Sequence, residues 1–263
     1  MKHGLSVTFI EEFANRKNLN KLNLIKKRTR VQIAARSLSE FYKLRNYIKK
    51  IKKDVEFVYW PLLSISEGYW FSPFADYKAI RRIFSELENR KEKGKIWIRL
   101  DLEFPRSRLI NISRNFIHSF KNKRIITEFV VNAKKNNIGI ITAEYAYAPE
   151  SLLEILGLAY NTKTYGNHKL KMMFKKPIGK RFFLKLLKRK IRRYIQKYRD
   201  NLIIETGLTA RGVSPFEWIA TPEEIKSYIE IAREEGVKQV LIFRLGGLNK
   251  DYLDALEGFW GKG

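Results

Sequence analysis

The stretch Ile96-Trp97-Ile98-Arg99-Leu100-Asp101-Leu102-Glu103 sets aliphatic residues at every second position, with aromatic or charged residues between them. A period of two marks a β-strand, because successive side chains leave the backbone on opposite faces. Ile96, Ile98, Leu100 and Leu102 form a row suited to packing under helices. Trp97, Arg99, Asp101 and Glu103 form the other row, with its acids gathered at the C-terminal end. In a closed parallel barrel both faces of a strand are covered, and the chemistry collects at the C-terminal rim.

Seven similar runs flank this one: Leu5 to Ile10, Val31 to Ala35, Val55 to Leu62, Ile138 to Ala146, Lys169 to Phe174, Leu202 to Glu205 and Val237 to Arg244. Amphipathic stretches alternate with them, at Ser39 to Lys52, Ala75 to Arg90, around Ser107 to Lys135, Pro149 to Leu158, Lys180 to Arg199 and Pro222 to Glu235. The last has a capping threonine, a first-turn proline and early acids in Thr221-Pro222-Glu223-Glu224, and Gly236 closes it. Eight strand-helix alternations in 263 residues predict a single-domain (β/α)₈ TIM barrel spanning residues 1–263. A doubly wound open sheet is the alternative. No internal repeat or low-complexity linker divides the chain.

Composition narrows the chemistry. There is no cysteine, so disulfides, thiolate metal sites and thiol nucleophiles are excluded. Walker-type and dinucleotide glycine loops are absent, and the three histidines, His3, His118 and His168, fall outside strand ends, so no cofactor and no metal are expected. No apolar run approaches the length of a membrane span, which reads as a soluble, cytoplasmic protein. Scarce glutamine with abundant Lys, Arg, Glu and Ile resembles the composition of hyperthermophile proteins.

The net charge of +26 is concentrated in two segments. Residues 16–53 hold 14 Lys/Arg against the single acid Glu40, and residues 162–200 hold 15 against the single acid Asp200. The rest of the chain is close to neutral. Two such segments predict a polyanionic partner, either nucleic acid or an anionic membrane surface, or else solvated helix faces with no partner.

The same parity reading that turns Arg99, Asp101 and Glu103 inward assigns Glu12, Arg36, Glu144, Glu205 and Arg244 to the C-terminal ends of other strands. Ionisable groups brought to one rim point to acid/base chemistry on a small polar substrate. Mutual ion pairing among these residues is the structural alternative. Asp101, Glu103, Glu144 and Glu205 are the candidate catalytic acids. Arg36, Arg99, Arg244 and Glu12 are candidate substrate contacts, as are the aromatics Trp60, Tyr69 and Trp70. The long segment from Pro61 to Pro73 is a candidate binding loop.

Leu100-Asp101-Leu102-Glu103-Phe104-Pro105 resembles the end of the fourth-strand motif of family 18 glycoside hydrolases, the chitinase-like barrels. The resemblance implies a carbohydrate substrate, with Glu103 protonating the glycosidic oxygen and Asp101 orienting the substrate's acetamido group. The family also carries acids two and five residues before the aspartate. Arg99 and Ile96 stand there in this chain, and no Met-x-Tyr-Asp follows on the sixth strand. A retaining layout on barrels would instead pair Glu103 with a nucleophile at Glu205. The alternatives are a divalent-metal isomerase or endonuclease built on the same carboxylates, and a non-catalytic polyanion-binding barrel.

Overall fold

A computed structural model describes residues 5–92, 94–104, 110–173, 180–213 and 217–260, and the side chains of 110–117, 180 and 181 are not among those described. Eight parallel strands close in sequential order, β1 next to β2 and so on round to β8. They are β1 (Ser6–Glu11), β2 (Thr29–Ala35), β3 (Val55–Pro61), β4 (Ile96–Asp101), β5 (Ile138–Tyr145), β6 (His168–Met172), β7 (Leu202–Leu208) and β8 (Gln239–Phe243). The molecule is a (β/α)₈ TIM barrel.

Six helices correspond to the amphipathic stretches: α2 (Leu38–Ile51), α3 (Tyr77–Glu88), α4 (Ile110–Ala133), α5 (Glu150–Leu156), α7 (Lys180–Tyr198) and α8 (Pro222–Glu234). Three further short ones, α1 (Arg16–Leu19), α6 (Thr162–Tyr165) and α9 (Lys250–Leu256), have too few turns to impose a clear periodicity on the sequence. Thr221 accepts from the Glu224 N–H, with the reciprocal Glu224 contact completing a capping box at α8. Phe174, Pro105 and the first residues assigned to the fourth long helix lie outside the described residues. Among the described residues no helix is long and apolar enough to cross a membrane.

The chain divides into two compact units. One comprises residues 34–43 and 58–169, and so contains β4 and β5; the other comprises residues 1–33, 44–57 and 170–263, and contains β1, β7 and β8. In the first, the β4–β5 register sets Trp97 beside Gly139, Arg99 beside Ile141 and Asp101 beside Ala143. Paired residues of parallel strands point the same way, so Gly139, Ile141, Ala143 and Tyr145 share the face of Trp97, Arg99 and Asp101.

Glu144 therefore faces the other way, and its partners agree. It accepts from the Tyr160 N–H at 3.0 Å and the Thr142 hydroxyl at 2.9 Å. It also pairs with Lys169 Nζ at 3.0 Å, and that ammonium reaches Glu150 at the start of α5 at 3.1 Å. Glu144 and Lys169 are both fully buried. The expectation that Glu144 joins the rim acids is corrected on this point: it turns to the helix layer because a buried lysine on the next strand compensates it there. An acid so compensated holds β5, β6 and α5 together, and loss of either partner would strand a buried charge at a cost of about 3–5 kcal/mol.

Candidate active site at the C-terminal ends of β3 to β5

Arg99 and Asp101 form a pair closed to solvent. The guanidinium Nη2 lies 3.0 Å and Nε 3.2 Å from the same carboxylate oxygen, with both residues buried. Two residues apart on one strand they share a face, which is why the chain can build this contact locally. Burial pushes the Asp101 carboxyl above its ordinary range, while Arg99 acts in the opposite direction. The Arg99 guanidinium also rests 4.9 Å over the Trp60 ring at the end of β3. The Trp60 indole N–H faces the carboxylate without completing a hydrogen bond of good geometry.

Glu103 lies just past the end of β4 and is half-buried, within reach of solvent at the rim. Tyr145, the last residue of β5, sets its phenol beside this carboxylate and accepts from the Phe104 N–H at 3.1 Å. Burial and the neighbouring Glu103 charge hold the Tyr145 phenol above the usual range, so it stays protonated. Asp101 and Glu103 consequently have different environments. Asp101 is clamped to a cation below the rim, whereas Glu103 is an accessible acid set beside a neutral donor.

Two aromatic clusters adjoin this region, one reached through Trp60 at Arg99 and one through Phe104 at Tyr145. Trp60 and Trp70 lie parallel, 6.3 Å apart with an 8° angle, and Tyr69 meets Trp70 edge-on at 4.4 Å. Tyr69 holds a left-handed backbone conformation with φ 64°, unusual for an aromatic residue and the kind of local strain found at functional loops. Phe104 is exposed, contacts Phe74 at 5.1 Å and stacks on Tyr145 at 6.2 Å. Flat faces beside a half-buried acid suit the apolar side of a sugar ring.

The binding loop is pinned from beneath. Glu67 accepts from the Ser64 N–H and hydroxyl and grips Arg82 of α3 through both carboxylate oxygens. This holds Glu67 at about 2, well below the ordinary glutamate value.

Tyr59, one residue before Trp60, packs on Phe41 of α2 at 5.1 Å. Arg36 is exposed, and its backbone N–H is capped by Glu40 at 2.7 Å. In the second unit, Arg244 pairs with Glu11 at 3.1 Å and rests over Phe13 at 4.5 Å. Glu11 also accepts from the N–H groups of Phe13 and Gly246 and from the Asn18 amide. Its carboxyl is raised by burial, against the lowering pull of Arg244 and these donors. Glu12 accepts from the Val213 N–H at 2.9 Å. Glu205 is buried in β7, where its backbone carbonyl accepts from the Met173 N–H. Trp260 packs on Phe9, while Trp218 is partly exposed.

Sequence reasoning missed Tyr145 and Glu11. Tyr145 carries a recoverable signal, since it continues the row of Ile141 and Ala143 to the rim. Glu11 was masked by the adjacent Glu12. Among the described residues, no group of three or more His, Asp or Glu is arranged to hold a metal ion.

No protein-family model matches the chain, and no curated protein does. Solved structures do resemble it. The spore cortex-lytic enzyme SleL of Bacillus cereus superposes with a TM-score of 0.63 at 10% identity, over 99% of this chain and 75% of that one. A family GH18 chitinase from Cycas revoluta, solved with allosamidin, gives 0.52 at 10% identity over 96% and 98%. A D-tagatose 3-epimerase-like protein gives 0.52 at 13% over 96% and 95%. Chitinase-like barrels are thus among its structural neighbours, together with barrels of other chemistry. At these identities the likeness is one of fold.

Proposed function

We propose that the chain is a glycoside-hydrolase-like enzyme in which Glu103 is the general acid/base. The observation that carries this reading is the half-buried Glu103 set beside the Tyr145 phenol at the rim, two residues beyond the buried Arg99–Asp101 pair. A general acid must reach the leaving oxygen and be held in one orientation. Glu103 meets the first condition through its half-exposure and the second through the Tyr145 phenol. Asp101 is a positioning residue: clamped by Arg99, it fixes the field beneath Glu103. Trp70 and Phe104 supply platforms for sugar rings, and Trp60, under Trp70, backs the first of them. In the reaction Glu103 gives its proton to the glycosidic oxygen as the bond to the anomeric carbon breaks. Water then adds to the anomeric carbon and gives its proton back to the Glu103 carboxylate.

The reading predicts turnover of a panel of aryl glycosides, and a loss of about 10²–10⁴-fold in Glu103→Gln. Equal turnover by wild type and variant would remove Glu103 from the mechanism. Chelator treatment in sugar-isomerase and nuclease assays tests the divalent-metal alternative, because a metal-dependent isomerase or nuclease loses its activity under it.

A second reading, compatible with the first, concerns the exposed face of α7. Lys188 pairs with Glu234 at 3.0 Å and Arg192 with Glu235 at 2.8 Å. One helical face further round, Lys185, Arg189 and Arg193 are exposed at intervals of four, with Phe182 exposed at the end of the stripe. This face has the chemistry to hold a polyanion.

A further inference from the structure

At the N-terminal ends of β4, β5 and β6, the end opposite Glu103, lies a cavity of about 440 Å³. Its wall includes Lys95, Trp97, Lys134, Asn137, Tyr165 and His168, and none of its lining residues is acidic. Trp97 is its organising surface. Lys95 Nζ stands 4.6 Å from the indole centroid, and His168 meets the ring edge-on at 4.9 Å and 89°. Gly139 sits beside Trp97 in the β4–β5 register, and a Cβ there would come within 2.5 Å of the indole. A glycine inside a strand costs about 0.5–1 kcal/mol. Here it is what lets the indole lie across β5.

The lower end of a barrel is ordinarily packed for stability, without a ligand. This one leaves space of the size small-molecule sites occupy and surrounds an aromatic face with two lysines and an imidazole. An inorganic anion alone would leave Trp97 and Tyr165 unused. An uncharged aromatic would leave Lys95 and Lys134 unused. We propose that this cavity is a binding site for a mononucleotide-class ligand, whose base displaces the Lys95 ammonium from the Trp97 face and stacks there, and whose phosphate is held by that displaced lysine and Lys134. Both halves of that ligand match the lining: stacking on an aromatic face tolerates any base, and lysine is a common phosphate partner. The site is remote from Glu103, so its occupant acts as an effector or stabilising ligand and is not turned over.

The experiment titrates the full chain with adenosine 5′-monophosphate, ribose 5-phosphate and inorganic phosphate while following tryptophan fluorescence and thermal stability. Adenosine monophosphate is expected to quench saturably and to raise the melting temperature, and the two smaller probes to bind more weakly. Lys95→Glu combined with Lys134→Glu alters two exposed side chains and is expected to weaken binding by about tenfold or more. Trp97→Phe keeps a ring and removes the fluorophore, so the quench should vanish while the thermal shift persists. Glu103→Gln should bind as wild type does, which separates this site from the proposed catalytic one. The proposal is overturned by the absence of saturable binding or by unchanged affinity in the double lysine variant, which would place the anion elsewhere on the basic surface. Ribose 5-phosphate binding as tightly as the nucleotide would overturn it too.

Discussion

Tyr145 turns Glu103 from an isolated rim acid into an oriented one. Its phenol is held above the usual range by burial and by the Glu103 charge, so its proton remains in place throughout the neutral and mildly alkaline range. Tyr145→Phe removes the hydroxyl beside Glu103, together with the contact it accepts from the Phe104 N–H, and keeps the ring that stacks on Phe104. It is expected to lower kcat on aryl glycosides by about tenfold, with KM little changed and the alkaline limb of the pH profile moved upward, because a donor that favours the ionised carboxylate is lost. An alkaline limb that disappears in the variant would mean that Tyr145 itself titrates, contrary to this assignment. At this scale the sequence was legible where charge and strand period agree, as at Arg99, Asp101 and Glu103. It misled where a polar residue was presumed to face the interior. Glu144 has the opposite parity to Tyr145, and Lys169 makes its burial in the helix layer tolerable; only the register of β4 with β5 reveals both.

Among elements, the loop joining β3 to α3 decides how firmly the aromatic platform is held. It stands out in the sequence by its length and its aromatic content. The anchor was illegible, since Glu67 and Arg82 are fifteen residues apart and belong to different elements. A carboxyl held at about 2 contributes stability that is complete above the ordinary value of 4.5 and disappears as pH falls through 2. Removing Arg82 takes away the largest cause of that lowering, and Glu67 returns toward its ordinary value. Arg82→Ala is therefore expected to loosen this loop already at pH 7 and to shrink the further loosening that the wild type shows between pH 5 and 2. Fluorescence of Trp70 followed from pH 7 to pH 2 in both proteins checks this, and superimposable acid transitions would show that another group anchors the loop. The strands, unlike this anchor, could be read within a few residues, because apolar runs and strand period coincide along each of them.

For the whole molecule, the charge of +26 calls for a physical consequence, and α7 is where it is most concentrated. Its apolar residues Phe183, Leu187 and Ile191 are buried, so the helix cannot lay an apolar face into a bilayer as an interfacial anchor does. The face left outward is electrostatic, with the exposed Phe182 ring at one end as a surface for base stacking. These features favour a flexible nucleic-acid strand over a membrane. Binding to a single-stranded oligonucleotide should weaken steeply as salt rises, because each neutralised phosphate releases a counterion. Changing Lys185, Arg189 and Arg193 together to Glu should reduce the slope of log K against log salt by about two, at roughly 0.7 per phosphate contact on a single strand. Thermal stability should be nearly unchanged, since all three side chains are exposed. Any turnover of aryl glycosides should be unaffected, because these residues belong to the helix layer. Tighter binding to anionic vesicles than to the oligonucleotide would reassign the face to membranes. A salt slope equal in wild type and variant would move the polyanion contact to residues 16–53, where the other half of the charge excess lies.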